Sequence, residues 1–600
     1  MNCKYFIKSL VIASAVIAGA ISLPQQLYGQ HNNEQQDSRQ QNNDCCGRHH
    51  EQHCKEQYSR EQDKNPARSS LKREFRGAWF ATVVNKTWRN MTTDQIKADI
   101  CNILDSMAAV NTNAVIFQVR PQADALFVSE FEPWSRFITG EQGGEPNPFF
   151  DPAAFTIEEC HKRGMEFHAW FNPYRVTSNE EETLAPNHLY FKNPGIFVKY
   201  GKQLYFNPGE PESRNHTLKV IADFVKRYDT DAVHFDDYFY PYKVDNLEFP
   251  DDSAFIRYGE ADGFKPPHNG VRAEEKDSLW MAVKADWRRN NVSTLVKALN
   301  DTIKAEKPWV KFGISPFGIW RELKNDPRGS QHPAGVCTNY DELYADILLW
   351  CQEGWIDYNV PQLYWPIGHK AADYKGLAIW WSKNKGKAQL YVGQSISATL
   401  DAKLPDGTRQ DQLYDKIKLD RELGNYDGNI WWSGHQMVKD PRMMDSLRTS
   451  YQKFPALHPL YPNIDSIAPQ PVNNLKVAYI YDESPLPHNN FVIKSPKSHS
   501  HGNGSNAAVH KEHAMAVLLK WDAPKADTPM DEAVWYAIYL FEKGEDIDLN
   551  RSERLLKIVR STTFEIPEVY AGETIVVTAI DRMWNESSAT EHYIQRRGLK

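Results

Sequence analysis

Between Phe75 and about Pro455 the chain alternates short apolar runs, rich in β-branched and aromatic residues, with longer segments of helical periodicity. The runs are Phe75–Val83, Ala114–Arg120, Glu166–Phe171, Ala232–Asp237, Lys311–Ser315, Tyr358–Tyr364, Gln389–Gln394 and Asn429–Ser433. Between them, Ile96, Ile100, Ile103, Leu104 and Met107 share one face of a helix predicted over Asp94–Val110. Leu218, Ile221, Phe224 and Val225 do the same over Leu218–Tyr228. Eight strand–helix units in succession predict an α/β fold, a (β/α)8 TIM barrel over residues 72–460. A doubly wound open sheet is the alternative, but no glycine-rich phosphate turn follows the first run.

Beyond Pro455 a proline cluster (Pro459, Pro462, Pro469, Pro471) reads as a linker, and period-two patterns then return. They cover Asn474–Tyr481, Ala516–Trp521, Ala533–Phe541, Leu555–Val559, Thr563–Ile566 and Thr574–Ala579. A small all-β, immunoglobulin-like sandwich over 468–597 is expected, with Trp521 in its core. Trp521-Asp522-Ala523-Pro524, Tyr536 with Tyr539, and Val576 to Asp581 resemble a fibronectin type III domain. The His- and Ser-containing stretch Ser495–Ala507 reads as an insertion between strands.

The N-terminus has a different pattern. Lys4 and Lys8 precede an apolar run from Leu10 to Leu23, short of the roughly 20 residues a spanning helix needs. Residues 1–29 are therefore expected to be a signal peptide, and the protein periplasmic or secreted. No later run reaches spanning length, so no transmembrane segment is expected. Residues 30–71, polar and almost without large aliphatics, read as a disordered tether. Within it Cys45, Cys46, His49, His50, His53 and Cys54 supply metal-ligand types, but at no standard zinc spacing. We expect no metal and no cofactor. Cys101, Cys160, Cys337 and Cys351 are unpatterned and read as buried free thiols.

A net charge of −8 argues against a broad nucleic-acid surface. The unusual quantity is the aromatic content, 12%, with 15 of the 18 Trp between Trp79 and Trp432. In a TIM barrel the chemistry collects at the C-terminal ends of the strands. Those ends carry Gln118, Arg120 and Asp124; Trp170, Asn172 and Tyr174; His234 and Tyr238; and Ser315 and Phe317. The later strands add Gln362, Tyr364, Trp365, Gln394 and Trp432. Rings that stack on C–H faces, with planar amides that hold hydroxyls, make a sugar-binding set. Trp287 and Trp350, inside helical patterns, are expected in the core instead.

Asp236 and Asp237 close the fourth run, where unpaired carboxylates are costly to bury. Successive strand residues face opposite ways, so only one should point along the barrel axis unless the strand bends. A structural role, capping a helix or pairing with Arg120 or Arg175, competes with catalysis. Glycosidic hydrolysis usually takes two carboxyls, the second here being the adjacent Asp, Glu322, Asp124 or Glu141. Gln394, not a Glu, ends the seventh run, which argues against a strand-four and strand-seven Glu pair.

Five motifs recur in order. They are Phe75-Arg76-Gly77-Ala78-Trp79, Phe117-Gln118-Val119-Arg120-Pro121, and His168 through Arg175. His234 through Pro241 and Gly313 through Trp320 complete the set. Together they resemble the glycosyl-hydrolase-like 10 family, related to a bacterial divisome-localised glycosyl hydrolase. The resemblance implies a TIM barrel and hydrolysis of N-acetylated cell-wall glycan, notably peptidoglycan strands stripped of their stem peptides. It also implies association with the cell surface or division site, and kinship with exopolysaccharide hydrolases that carry a strand-four Asp pair. The expected partner is thus a polysaccharide, with Asp236, Asp237 and Glu322 as catalytic candidates. Two other readings stay open: a non-catalytic polysaccharide-binding surface protein, and a hydrolase of another exopolysaccharide or dietary glycan.

Overall fold

The computed structural model describes residues 71–83, 88–265, 273–333, 335–480 and 515–595. The signal, nearly all of the tether with its Cys/His cluster, and the Ser495–Ala507 insertion lie outside them. Eight parallel strands close into a barrel in chain order: β1 (Phe75–Phe80), β2 (Ala114–Arg120), β3 (Glu166–Phe171), β4 (Ala232–Phe235), β5 (Lys311–Ile314), β6 (Tyr358–Asn359), β7 (Gln389–Ser395) and β8 (Gly428–Trp432). Each pairs with the next, and β8 returns to β1 through Gly77↔Ile430 and its neighbours. Helices form the outer ring. Helix α1 (Thr93–Ala108) starts at a capping box, in which Thr92 Oγ1 accepts from Gln95 N and the Gln95 side chain accepts from Thr92 N. It buries the five apolar residues named above. Helix α2 (Pro211–Arg227) begins seven residues earlier than its apolar pattern, because Pro211 suits the first turn, where no N–H is needed.

Two inward positions are glycine because rings fill the space beside them. A Cβ on Gly313 of β5 would lie 2.0 Å from the Tyr358 ring, and one on Gly393 of β7 would lie 2.8 Å from Trp79. Tyr358 is fully buried on the neighbouring strand and has nowhere to retreat. Gly313→Ala is therefore expected to cost about 1–3 kcal/mol, read as a lowered midpoint in thermal unfolding.

After the barrel, two antiparallel sheets face each other. One has order β9 (Asn473–Ile480), β10 (Met515–Asp522), β13 (Thr563–Val569); the other β12 (Leu555–Val559), β11 (Trp535–Phe541), β14 (Thr574–Ile580), β15 (Thr590–Tyr593). Val517, Leu519 and Trp521 from the first meet Tyr536, Ile538, Ile575 and Val577 from the second in one core. This β-rich region docks on the N-terminal rim of the barrel, opposite the strand ends that carry the candidate residues. Trp584 Nε1 donates to Glu166, the first residue of β3, at 2.6 Å. Arg560 holds Asp229 and Asp231, just ahead of β4, at 2.6 and 2.9 Å. Trp287 and Trp350 are fully buried, as expected. Among the described residues Cys101, Cys160, Cys337 and Cys351 form no disulfide; three are buried as expected, and Cys101 is half-buried. Among the described residues no helix is long and apolar enough to cross a membrane.

Candidate active site

The ladder of β4 stops at Phe235, which pairs with Phe171 on one side and Ile314 on the other. Beyond it the chain bends at Asp237, and the ends of β3 and β6 each clamp one carboxyl. Asp236 accepts from Trp170 Nε1 at 3.1 Å and from Asn172 Nδ2 at 3.1 and 3.2 Å, both from the end of β3. Asp237 accepts from Gln362 Nε2 at 3.1 Å, beyond β6, and from the Tyr242 hydroxyl. Both are nearly sealed from solvent, 4% and 2% exposed. The bend foreseen as the exception is thus what occurs.

Both carboxyls are raised by burial, each against different partners. Burial raises the Asp236 carboxyl above its usual range, opposed mainly by the Arg175 guanidinium and the Asn172 and Trp170 hydrogen bonds. Asp237 is pushed up to about 6, by burial first and the neighbouring Asp236 charge second. The Tyr242 and Gln362 bonds oppose that rise. Near neutral pH Asp237 therefore still holds its proton part of the time.

Indole and phenol rings surround the pair. Trp432 sits 6.1 Å from Trp170 and 6.2 Å from Trp79, both edge-on, and Tyr364 lies perpendicular to Trp79 at 6.3 Å. On the other side Phe317 packs edge-on against Trp365 at 5.4 Å and Tyr242 at 6.2 Å. Arg175 lies 5.2 Å above the Tyr238 ring. Trp79, Arg175 and Tyr242 were not among the expected site residues. The signals were present: Trp79 ends the first motif, Arg175 the third, and Tyr242 continues the alternate tyrosines 238 and 240.

Other expected residues are engaged elsewhere. Gln118 accepts from Thr82 N at 3.0 Å and Val83 N at 2.8 Å, tying down the end of β1. Arg120 is fully buried against Glu132 and donates to the Asn172 and Pro173 carbonyls, so it braces the β3 end from behind. Asp124 takes a 3.2 Å bond from Gln142 and is pushed by burial up to about 6. Tyr174 packs into the main core, its hydroxyl without a hydrogen-bond partner among the described residues. Glu322 accepts from Gly335 N at 2.9 Å and pairs with Lys324 at 2.8 Å, closing its own loop. Gln394 donates to Asp420 and Asn429, on the helix side of β7. Glu141 is exposed. His234 and Ser315 lie beneath the pair, 3.0 Å apart.

Buried carboxyls ringed by indoles at the C-terminal rim of a (β/α)8 barrel define a glycoside hydrolase-like barrel. The chain belongs to the glycosyl hydrolase-like 10 family, whose model matches residues 74–412. It is 38% identical over 534 residues to glycosyl hydrolase YngK of Bacillus subtilis (strain 168), covering 88% of this chain and 94% of that one. It is 36% identical over 341 residues to glycosyl hydrolase DigH of Escherichia coli (strain K12), covering 53% of this chain and 72% of that one. Among solved structures, the PgaB (BpsB) glycoside hydrolase domain from Bordetella bronchiseptica aligns with a TM-score of 0.41 at 13% identity. That alignment covers 64% of this chain and 99% of that domain.

Proposed function

We propose that this protein is a glycoside hydrolase acting on an N-acetylated bacterial cell-wall glycan, such as peptide-stripped peptidoglycan strands, outside the cytoplasm. The observation that carries the reading is the unequal Asp pair: Asp237 raised to about 6 and fit to donate a proton, Asp236 set among hydrogen-bond donors. The relatives named above, both called glycosyl hydrolases, support the reaction class. Asp237 gives its proton to the leaving glycosidic oxygen as the bond to the anomeric carbon breaks. The oxygen of the substrate's own acetamide bonds to that carbon, and Asp236 holds the acetamide N–H. Water then opens the cyclic intermediate, giving its proton back to Asp237. Neither Glu322 nor Gln394 is needed for this sequence, which fits their engagement elsewhere.

Incubation with peptide-stripped strands should release new reducing ends, and strands stripped also of N-acetyl groups should resist. Cleavage of both would remove the acetamide from the mechanism. Binding without cleavage of either would favour a polysaccharide receptor. Because the reacting form keeps the Asp237 proton, kcat/KM should decline as pH rises through about 6. In Tyr242→Phe that alkaline limb should move to higher pH, since the lost hydroxyl stabilises the ionised carboxyl. An unmoved limb would detach Asp237 from the profile.

A further inference from the structure

A chain of buried polar side chains crosses the barrel interior from the C-terminal sandwich to the floor of the candidate site, and the proposed hydrolysis does not use it. At its base Glu166 accepts from Trp584 Nε1 of the sandwich at 2.6 Å and from Lys311 Nζ at 2.5 Å. Glu166 faces His168 Nε2 at 2.8 Å, and His168 Nδ1 lies 2.9 Å from the Tyr358 hydroxyl. That hydroxyl is 3.1 Å from His234 Nδ1, and His234 Nε2 is 3.3 Å from Trp79 Nε1. Glu166, His168, Tyr358 and His234 are all 0% exposed.

Elementary donor chemistry orients the protons along this chain. An indole N–H donates and never accepts, so His234 Nε2 must accept from Trp79. The Ser315 hydroxyl, 3.0 Å from the same nitrogen, donates to the Phe235 carbonyl at 3.3 Å and leaves that lone pair to the indole. Burial holds His234 neutral, well below its usual pKa. A neutral imidazole that accepts at Nε2 carries its hydrogen on Nδ1 and donates it to the Tyr358 oxygen. The Tyr358 hydrogen is left for His168 Nδ1, so His168 is protonated at Nε2 and donates to the Glu166 carboxylate, which only accepts. The donor-only indole at one end and the acceptor-only carboxylate at the other are both satisfied by this direction.

TIM-barrel interiors are usually filled with branched aliphatics. Here Tyr358 crosses the axis only because β5 offers a glycine at position 313, level with His234 on one side and Tyr358 on the other. A fully satisfied buried network rigidifies what it touches. What it touches at the top is Trp79, against which Trp432 and Tyr364 pack beside the Asp pair, and Ser315, whose carbonyl accepts from the same Gln362 that holds Asp237.

We infer that Tyr358 and the sandwich residue Trp584 are positioning residues for the candidate site: through Glu166, His168 and His234 they hold the Trp79 indole and the Ser315–Gln362 support of Asp237 in place. The sandwich is then a working part of the barrel. This inference rests on the hydrolase reading for its kinetic arm alone.

The test uses the full chain and two variants. Nitrogen-15 NMR of the imidazoles in the wild type should find His234 protonated at Nδ1 and His168 at Nε2 near neutral pH; the opposite tautomers overturn the inference. Tyr358→Phe deletes only the hydroxyl, and should lower kcat about tenfold, the rate equivalent of one unmade buried hydrogen bond, with KM moving less than about threefold. Trp584→Phe keeps a ring on His458, with which Trp584 stacks at 4.2 Å, and removes the N–H along with the second ring of the indole. The smaller ring leaves a cavity that lowers the unfolding midpoint, while the folded variant should lose about threefold in kcat and shift the Trp79 indole N–H resonance. Folded variants with wild-type kcat and an unshifted Trp79 resonance would reduce the column to core packing. If Tyr358→Phe fails to fold, Trp584→Phe and the wild-type tautomers decide. If the wild type cleaves no glycan, the hydrolase reading falls, and the column stands or falls on the tautomers and the Trp79 resonance.

Discussion

Asp237→Asn is expected to lower kcat on the natural glycan by about 10²–10⁴-fold, the usual worth of a positioned proton donor. Asp236→Asn should lose a comparable factor, and the two losses separate on a second substrate. An aryl glycoside with an acidic phenol leaves without protonation, so it should restore much of the rate to Asp237→Asn and little to Asp236→Asn. Stability should move the other way. The Asp237 pKa is raised on folding from 3.8 to about 6, so its contribution is fully present below pH 3.8 and lost as pH rises through about 6. Above that range the wild type holds a buried carboxylate, and the asparagine relieves a penalty on the order of 3 kcal/mol. Thermal unfolding at mildly alkaline pH should therefore favour Asp237→Asn, with the gain fading in acid. A group kept at the expense of stability and needed for rate is what a functional site predicts. If both asparagine variants keep full activity, the pair is structural and the hydrolase reading fails.

The fold was legible because each strand of a parallel barrel is buried on both faces and reads as an apolar run. The differences lie where single residues intervene. The first run was expected to reach Val83, but Gln118 captures the Thr82 and Val83 amides, and β1 ends at Phe80. The sixth was expected to reach Tyr364, but Pro361 has no N–H for the ladder, and β6 ends at Asn359. Gln362 still bridges Phe317 and Gly393 there, which keeps it beside Asp237.

The site was legible in part. Trp170, Asn172 and Gln362 could be placed because strand ends converge whatever the loops do. Whether a strand-end residue points to the axis or to the helices depends on register, and a one-residue difference reverses it. Gln394 was placed in the site on its position alone, yet it faces Asp420 on the helix Leu413–Leu423. His168 and His234 each open a motif, but nothing in the sequence joins them into a column. Glu166, His168, His234 and Tyr358 come from three strands, and only barrel closure stacks them.

Arg120 is the sharpest case of a residue whose type suggested the substrate and whose surroundings suggest the scaffold. Its guanidinium meets both Glu132 oxygens, at 2.7 and 2.5 Å, with neither side chain appreciably exposed. Burial pushes Glu132 upward, but the charge and hydrogen bonds of Arg120, with help from His216, bring it down to about 2. That pairing stabilises the fold above the usual glutamate pKa and is lost as pH falls toward 2. Arg120→Met leaves a buried carboxylate with His216 alone and strips a donor from the Asn172 and Pro173 carbonyls. The expected cost is about 3–5 kcal/mol, read by denaturant or thermal unfolding. Arg120→Met with Glu132→Leu should recover most of that loss, since an apolar pair of similar volume often replaces a buried ion pair without penalty. Activity should recover less than stability does, because Asn172, which holds Asp236, is still without the donor that steadies its backbone. A single variant that keeps its unfolding midpoint but raises KM would reverse the assignment and return Arg120 to the glycan.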